Sequence, residues 1–396
     1  MTSFDSTPSL NIWRALLAVA VVFVMLTATG WTAVRSKGGS TPLEAALSAW
    51  NRGGIDGRDL PDPEAPAKRI SRFFATLSNA QQDRLAERYS LVVGNLNGAP
   101  VTLRYAANRH SLHKAVKAER ERMNDTRLSD TGRRDAGRRM HRFESFLKPG
   151  RDLLAFDPSG RGRVAEVLGN LEKAERVSVV VPGVDTDLLT FQKTFGRYSA
   201  TSGMSRALYR TQRAEDPDTR TAVIAWADYT APGGVGMDAF TVRRAEDGAL
   251  RLNAMLRSLP GRAPTALYCH SYGSVVCGLA ARELPPRVRD IAVAGSPGMR
   301  AETAADLGTS ARVWAMRDED DWIADVPHLE VGSFGHGVDP VSAGFGARVL
   351  SAKDSVGHTG YFEPGTESLR NFARIGVGRW DEVSCADDGD ACRAHV

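Results

Sequence analysis

Residues 265–280 read TALYCHSYGSVVCGLA: an apolar run meets Cys269-His270-Ser271-Tyr272-Gly273, and a second apolar run follows at helical spacing. The pattern predicts a strand that stops, turns within about one residue and starts a helix. A serine at the apex of such a turn is held in a strained backbone conformation with its hydroxyl exposed. Small residues are needed two before and two after it, because the strand and helix backbones nearly touch there. The helix N-terminus behind the serine also presents N–H groups where a developing oxyanion can sit. Cys269 stands where pentads of this kind usually carry glycine. Cysteine is small and tolerates burial, so the close approach survives the exchange. A chance S-x-G after a strand is the bland alternative, and the strand–turn–helix context argues against it.

The surroundings of the pentad set the fold class. From about residue 151, short apolar runs alternate with amphipathic segments. Strands are expected at Asp152–Phe156, Arg163–Leu168, Val177–Val181, Ala222–Ala227, Thr265–Cys269, Asp290–Ala294 and Arg312–Met316, with helices such as Gly248–Leu259 and Val275–Leu284 between them. This alternation predicts an α/β fold with a mostly parallel sheet covered on both faces, and ligands at the carboxyl ends of its strands. Residues 42–150 read as a separate helical region. It contains a capping box at Ser78–Gln81 and an Arg-dense stretch from Arg109 to Arg142. The acids interspersed in that stretch predict a solvated helical face, not a nucleic-acid surface. Gly160-Arg161-Gly162-Arg163 mimics a dinucleotide fingerprint, but Asp157–Gly160 reads as a hairpin turn with no long helix after it.

A serine nucleophile needs a base, and the base needs an acid that fixes its tautomer. In sites of this layout the chain order is serine, acid, histidine. Downstream of Ser271 lie His328, His336, His358 and His395. His358, in Gly357-His358-Thr359-Gly360-Tyr361 before a closing helix at Glu367–Ile375, is the expected base, with His336 second. His270 should point away from the nucleophile. The acid should follow the strand Arg312–Met316, in Arg317-Asp318-Glu319-Asp320-Asp321-Trp322. Asp321 is the choice there, with Asp320 and Asp318 behind it. The oxyanion hole takes one N–H from Tyr272 and a second from the loop Pro182–Thr186, with Val184 the expected donor. No metal or cofactor is required by this chemistry.

The N-terminus carries a different signal. Ala15–Val34 is an uncharged 20-residue run, enough to cross a bilayer as a helix. It is read as a single-pass anchor, with the catalytic part outside and residues 1–41 as anchor and linker. The alternative is a cleaved signal segment, giving a secreted protein. Of four cysteines, Cys269 and Cys277 read as buried apolar residues. Cys385 and Cys392, in a polar tail at 381–396, are expected to pair if the chain is exported. The remaining bulk values, 42% hydrophobic, 25% charged and a net charge of +4, suit an ordinary globular chain with a sizeable core.

Several ordered blocks carry a resemblance: VVVPGVDTDL, AVIAWADYTAP, LYCHSYGSVV, VAGSPGM, the DEDDWI loop with VGSFGHGVDP, and GHTGYF. With the upstream FFATLSNAQQDRLAERY and GNLNGAPVTLRYAANR, they resemble the α/β-hydrolase family long filed as domain of unknown function 1023, over most of residues 70–380. The resemblance implies an α/β-hydrolase fold at 151–380. It also implies a serine hydrolase, with Ser271, Asp321 and His358 at the family's triad positions. The expected reaction is cleavage of an ester-type bond in a small-molecule or lipid-like acyl substrate. An acyltransferase using the same triad and a non-catalytic binding protein of the same fold are the alternatives.

Overall fold

The computed structural model describes residues 40–386 and 389–393. The helical region comes first. Helix α1 (Pro42–Asn51) opens with a reciprocal capping box: Thr41 Oγ accepts from Glu44 N–H, and the Glu44 carboxylate accepts from Thr41 N–H. Helix α2 (Ala67–Ala75) follows. The box at Ser78 and Gln81 then starts α3 (Asn79–Arg88), and α4 (Ser90–Asn95) leads to the turn at Asn97–Gly98. Trp50, Phe74, Leu85 and Val93 close a small core among these helices. The Arg-dense stretch falls on two long helices, α5 (Val101–Met123) and α6 (Asp130–Phe146). Many of its arginines pair with the interleaved acids, as Arg122 and Arg139 do with Glu119 and Arg120 does with Glu144.

An eight-stranded sheet forms the rest of the frame. Its strands are β1 (Asp152–Asp157), β2 (Arg163–Leu168), β3 (Arg176–Val181), β4 (Thr221–Ala227), β5 (Thr265–His270), β6 (Val288–Ala294), β7 (Arg312–Met316) and β8 (Arg348–Val349). Their spatial order is β1-β2-β4-β3-β5-β6-β7-β8. β2 runs antiparallel to both β1 and β4, and every later pairing is parallel. The turn between β1 and β2 holds Gly160 and Gly162, both at positive φ, so the glycine pair that mimics a cofactor fingerprint closes a hairpin. The exchange of β3 and β4 leaves the carboxyl ends of β3 and β5 side by side, where a crevice for ligands is expected.

Helices cover both faces, as near-continuous apolar strands demand. On one side α9 (Arg243–Ser258) and α10 (Gly273–Ala280) pack on Val179, Ile224, Leu267 and Ile291. On the other, α7 (Thr201–Glu215) and α11 (Glu367–Val377) pack on Val180, Tyr268, Trp314 and their neighbours. This is an α/β-hydrolase fold preceded by a helical region. The tail joins it at the sheet edge, where Ser351 N–H donates to Ser384 O and Ala386 N–H to Val349 O. Cys385 and Cys392 form a disulfide there.

Two expectations are corrected. Among the described residues no helix is long and apolar enough to cross a membrane, and the run at 15–34 lies outside them, so the transmembrane part of the expected fold is not supported. Cys269 and Cys277 are not separate thiols but a disulfide, with Cα atoms 6.5 Å apart. The pleat explains it. Residues 267 and 269 share the face of β5 that α10 covers, and Cys277 lies on α10 eight residues further along.

Candidate active site

The strand–turn–helix around Ser271 is built as its residue types require. β5 ends at His270, Ser271 takes φ +54°, and α10 begins at Gly273. A non-glycine residue in the left-handed region is costly and persists only where its surroundings hold it. Ser271 N–H donates to Ala294 O at 3.0 Å, and Ser271 O accepts from Ser274 N–H at 2.9 Å. The helix then passes so near β3 that a Cβ on Gly273 would stand 2.4 Å from Val181 O.

Ser271 Oγ faces His358 Nε2 at 2.8 Å, and His358 Nδ1 lies 2.8 Å from Asp321 Oδ1. The carboxylate next to Nδ1 fixes the tautomer with a proton on Nδ1, leaving Nε2 to accept from the serine hydroxyl. The structure thus brings Ser271, His358 and Asp321 into one relay across the ends of β5 and β7. Asp321 is almost fully buried and caps the short helix Trp322–Asp325 by accepting from Ile323 N–H at 3.0 Å. Burial pushes its pKa up. The hydrogen bonds from His358, Tyr361 and Ile323 outweigh that and hold it below the usual carboxylate value.

The rival residues have other partners. Asp320 is exposed. Asp318 Oδ1 accepts from Gly357 N–H at 2.8 Å, so it anchors the loop carrying the base and does not touch the imidazole. His336 borders the same cavity as Ser271, but its Nε2–H donates to Ala239 O at 2.7 Å. His328 contacts Pro297 O, and His395 lies outside the described residues.

The loop after β3 runs directly against the serine. A Cβ on Gly183 would be 2.7 Å from Ser271 Cβ, so only glycine lets Pro182–Val184 lie there. Tyr229 clamps the loop by donating to Pro182 O at 2.7 Å, and Asp185 N–H donates to Pro232 O. The N–H groups of Val184 and Tyr272 have no acceptor among the described residues.

Two contributors, Tyr361 and a cap, were not singled out from the sequence, and His270 was expected only to point away from the nucleophile. Tyr361 donates to the second carboxylate oxygen of Asp321 at 2.5 Å. His270, one residue before the apex, points to the other face of the sheet, where its Nε2–H donates to His358 O at 2.6 Å. Burial, with the His358 ring alongside, lowers the His270 pKa to about 4, so it is a neutral donor at ordinary pH. In the cap, the short helix α8 (Met237–Phe240) and the ribbon Glu330–Val331/Phe334–Gly335 meet through a bridge between Thr241 and Phe334. Tyr272 ties the cap to the elbow by donating to Thr241 O at 2.8 Å. Strand alternation would have placed His270 opposite Cys269. The partners of the cap and of Tyr361 lie far away in sequence and leave no local signal.

A family profile described as Alpha/beta hydrolase matches residues 157–331. The uncharacterized protein Rv2079 of Mycobacterium tuberculosis is 27% identical over 388 residues, covering 83% of this chain; the chain spans 58% of that relative's length. Among solved structures, XC6422 of Xanthomonas campestris, described as an α/β serine hydrolase without a lid, matches 59% of this chain and 96% of its own at 13% identity and a TM-score of 0.33. The 2,6-dihydroxy-pseudo-oxynicotine hydrolase matches 85% and 96% at 12% identity and a TM-score of 0.36. The sheet order and the profile over 157–331 agree on an α/β-hydrolase fold, and the profile supports a hydrolase reading.

Proposed function

We propose that this protein is a serine hydrolase of ester-type bonds, of the kind filed as domain of unknown function 1023. The observation that carries the reading is the unbroken relay from Asp321 Oδ1 through His358 to Ser271 Oγ. His358 Nε2 takes the hydroxyl proton as Oγ attacks the acyl carbonyl, and the carbonyl oxygen becomes an oxyanion held by the Val184 and Tyr272 N–H groups. Collapse expels the alcohol, which takes the proton from His358. Water then repeats the sequence on the acyl-enzyme and releases the acid. Asp321 stays ionised and stabilises the imidazolium. The two disulfides support an oxidising, extracytoplasmic site of action.

Hydrolysis of p-nitrophenyl butyrate by paired variants tests this, with folding checked by circular dichroism. Ser271→Ala and His358→Ala should remove nearly all turnover, and Asp321→Asn about 10⁴-fold of it. Asp320→Asn and His336→Ala should be far milder. Wild-type turnover by Ser271→Ala would end the hydrolase reading.

A further inference from the structure

We infer, resting on the hydrolase reading, that the cavity beside Ser271 is an acyl subsite for an uncharged apolar acyl group of short to medium length. The cavity has a volume of about 180 Å³ and is walled by Val184, Ala239, Phe240, Pro297, Ile323 and Val326. Its walls come from four separate elements: the oxyanion loop, the cap helix α8, the loop after β6 and the short helix after β7. The subsite therefore exists only in the assembled fold.

Chemistry decides the class of group. No Asp, Glu, Lys or Arg lines the cavity among the described residues. A carboxylate or ammonium on the acyl group would be stripped of water with no partner, which is prohibitive. Most polar members are already engaged: Ser271 with His358, the Tyr272 hydroxyl with Thr241 O, and His336 Nε2–H with Ala239 O, while the buried His336 Nδ1 has no partner and can only accept. Burial keeps the His336 ring neutral by holding its pKa below the ordinary value, so it adds no charge to the wall.

Volume decides the length. An apolar cavity of about 150 Å³ accommodates a benzene ring, so one of this size takes an acyl group of about four to eight carbons or a single ring. Each methylene that fits such a pocket is worth about tenfold in kcat/KM, and one that does not fit forfeits that gain. Phe240 and Val326 are the walls to change, because both are partly exposed and their exchange leaves the core intact.

The test is a series of p-nitrophenyl esters from two to twelve acyl carbons, read as kcat/KM. In parallel, inactivation rates are measured with alkyl phosphonate esters of the same chain lengths, which report the pocket without deacylation. Both profiles should peak between about four and eight carbons and lie at least tenfold lower at twelve. Val326→Trp should move the peak to two or three carbons, and Phe240→Ala should raise the ten-carbon ester about tenfold relative to the four-carbon one. Active enzyme whose profiles are flat, or rise through twelve carbons, would overturn the subsite and leave the hydrolase standing. Profiles that peak as stated but move with neither variant would place the subsite elsewhere and overturn this assignment. Neither turnover nor phosphonylation with any chain would overturn both readings.

Discussion

Tyr361 donates its hydroxyl to Asp321 Oδ2, while His358 uses Oδ1 of the same carboxylate. Both oxygens of the acid are thus held, and the carboxylate plane is fixed relative to the imidazole. The Tyr361 hydroxyl in turn accepts from Asp318 N–H at 3.0 Å, so the acid loop and the base loop are joined through one phenol. Tyr361→Phe keeps the ring packing and removes only these bonds. It should lower kcat about tenfold with little change in KM, and cost about 1.5–3 kcal/mol in urea unfolding, the usual worth of a hydrogen bond to a charged group. Unchanged kcat and stability would show that His358 and Ile323 alone suffice to hold the acid.

The close approach of α10 to β3 gives a second expectation. A Cβ at position 273 meets a backbone carbonyl that cannot move aside without shifting the strand. Gly273→Ala should cost about 1–3 kcal/mol by overpacking and displace Ser271 enough to lose most activity. An alanine variant with wild-type melting temperature and turnover would contradict the described elbow.

The buried His270 sets a pH dependence. Its folded pKa, about 4, lies below the unfolded value near 6.5, so the unfolded chain binds the proton more readily between them. The sign follows: stability is fully present above about pH 6.5 and is lost as pH falls toward 4, by about 3 kcal/mol at most from this group. His270→Gln, which can still donate to His358 O, should flatten that part of the profile in denaturant titrations at stepped pH. An identical slope in wild type and variant would assign the acid sensitivity to other groups.

The two disulfides predict a thiol count. Denatured, unreduced protein purified from an oxidising compartment should expose no free thiol, and four after reduction. Closing loops this short stabilises by about 2–3 kcal/mol each at most. Two thiols before reduction would mean that one pair is open.

How much of this was legible in the chain depends on distance. The strands from Asp152 to Met316 were readable because strands buried on both faces, as most of this sheet's are, are short, continuous apolar runs. Ser271 and Asp321 could be ordered because each follows a legible strand end, and His358 because it sits in a glycine-flanked loop before the closing helix Glu367–Val377. The edge strand Arg348–Val349 is too short to leave a pattern, and helix Thr201–Glu215 lies in a stretch of mixed polarity. The Cys269–Cys277 bond needed the pleat and the helix phase together, whereas Cys385 and Cys392 bracket a polar loop that suggests its own closure. Tyr361, Asp318 and His270 act through partners 40, 39 and 88 residues away, which no local spacing encodes.

The most direct test of the central claim is mass mapping of a fluorophosphonate adduct on the folded protein. One equivalent on Ser271, with labelling slowed by about three orders of magnitude or more in His358→Ala, is the result expected of a hydroxyl activated by that imidazole. An adduct on another residue, or labelling of Ser271 that is indifferent to His358, would contradict it.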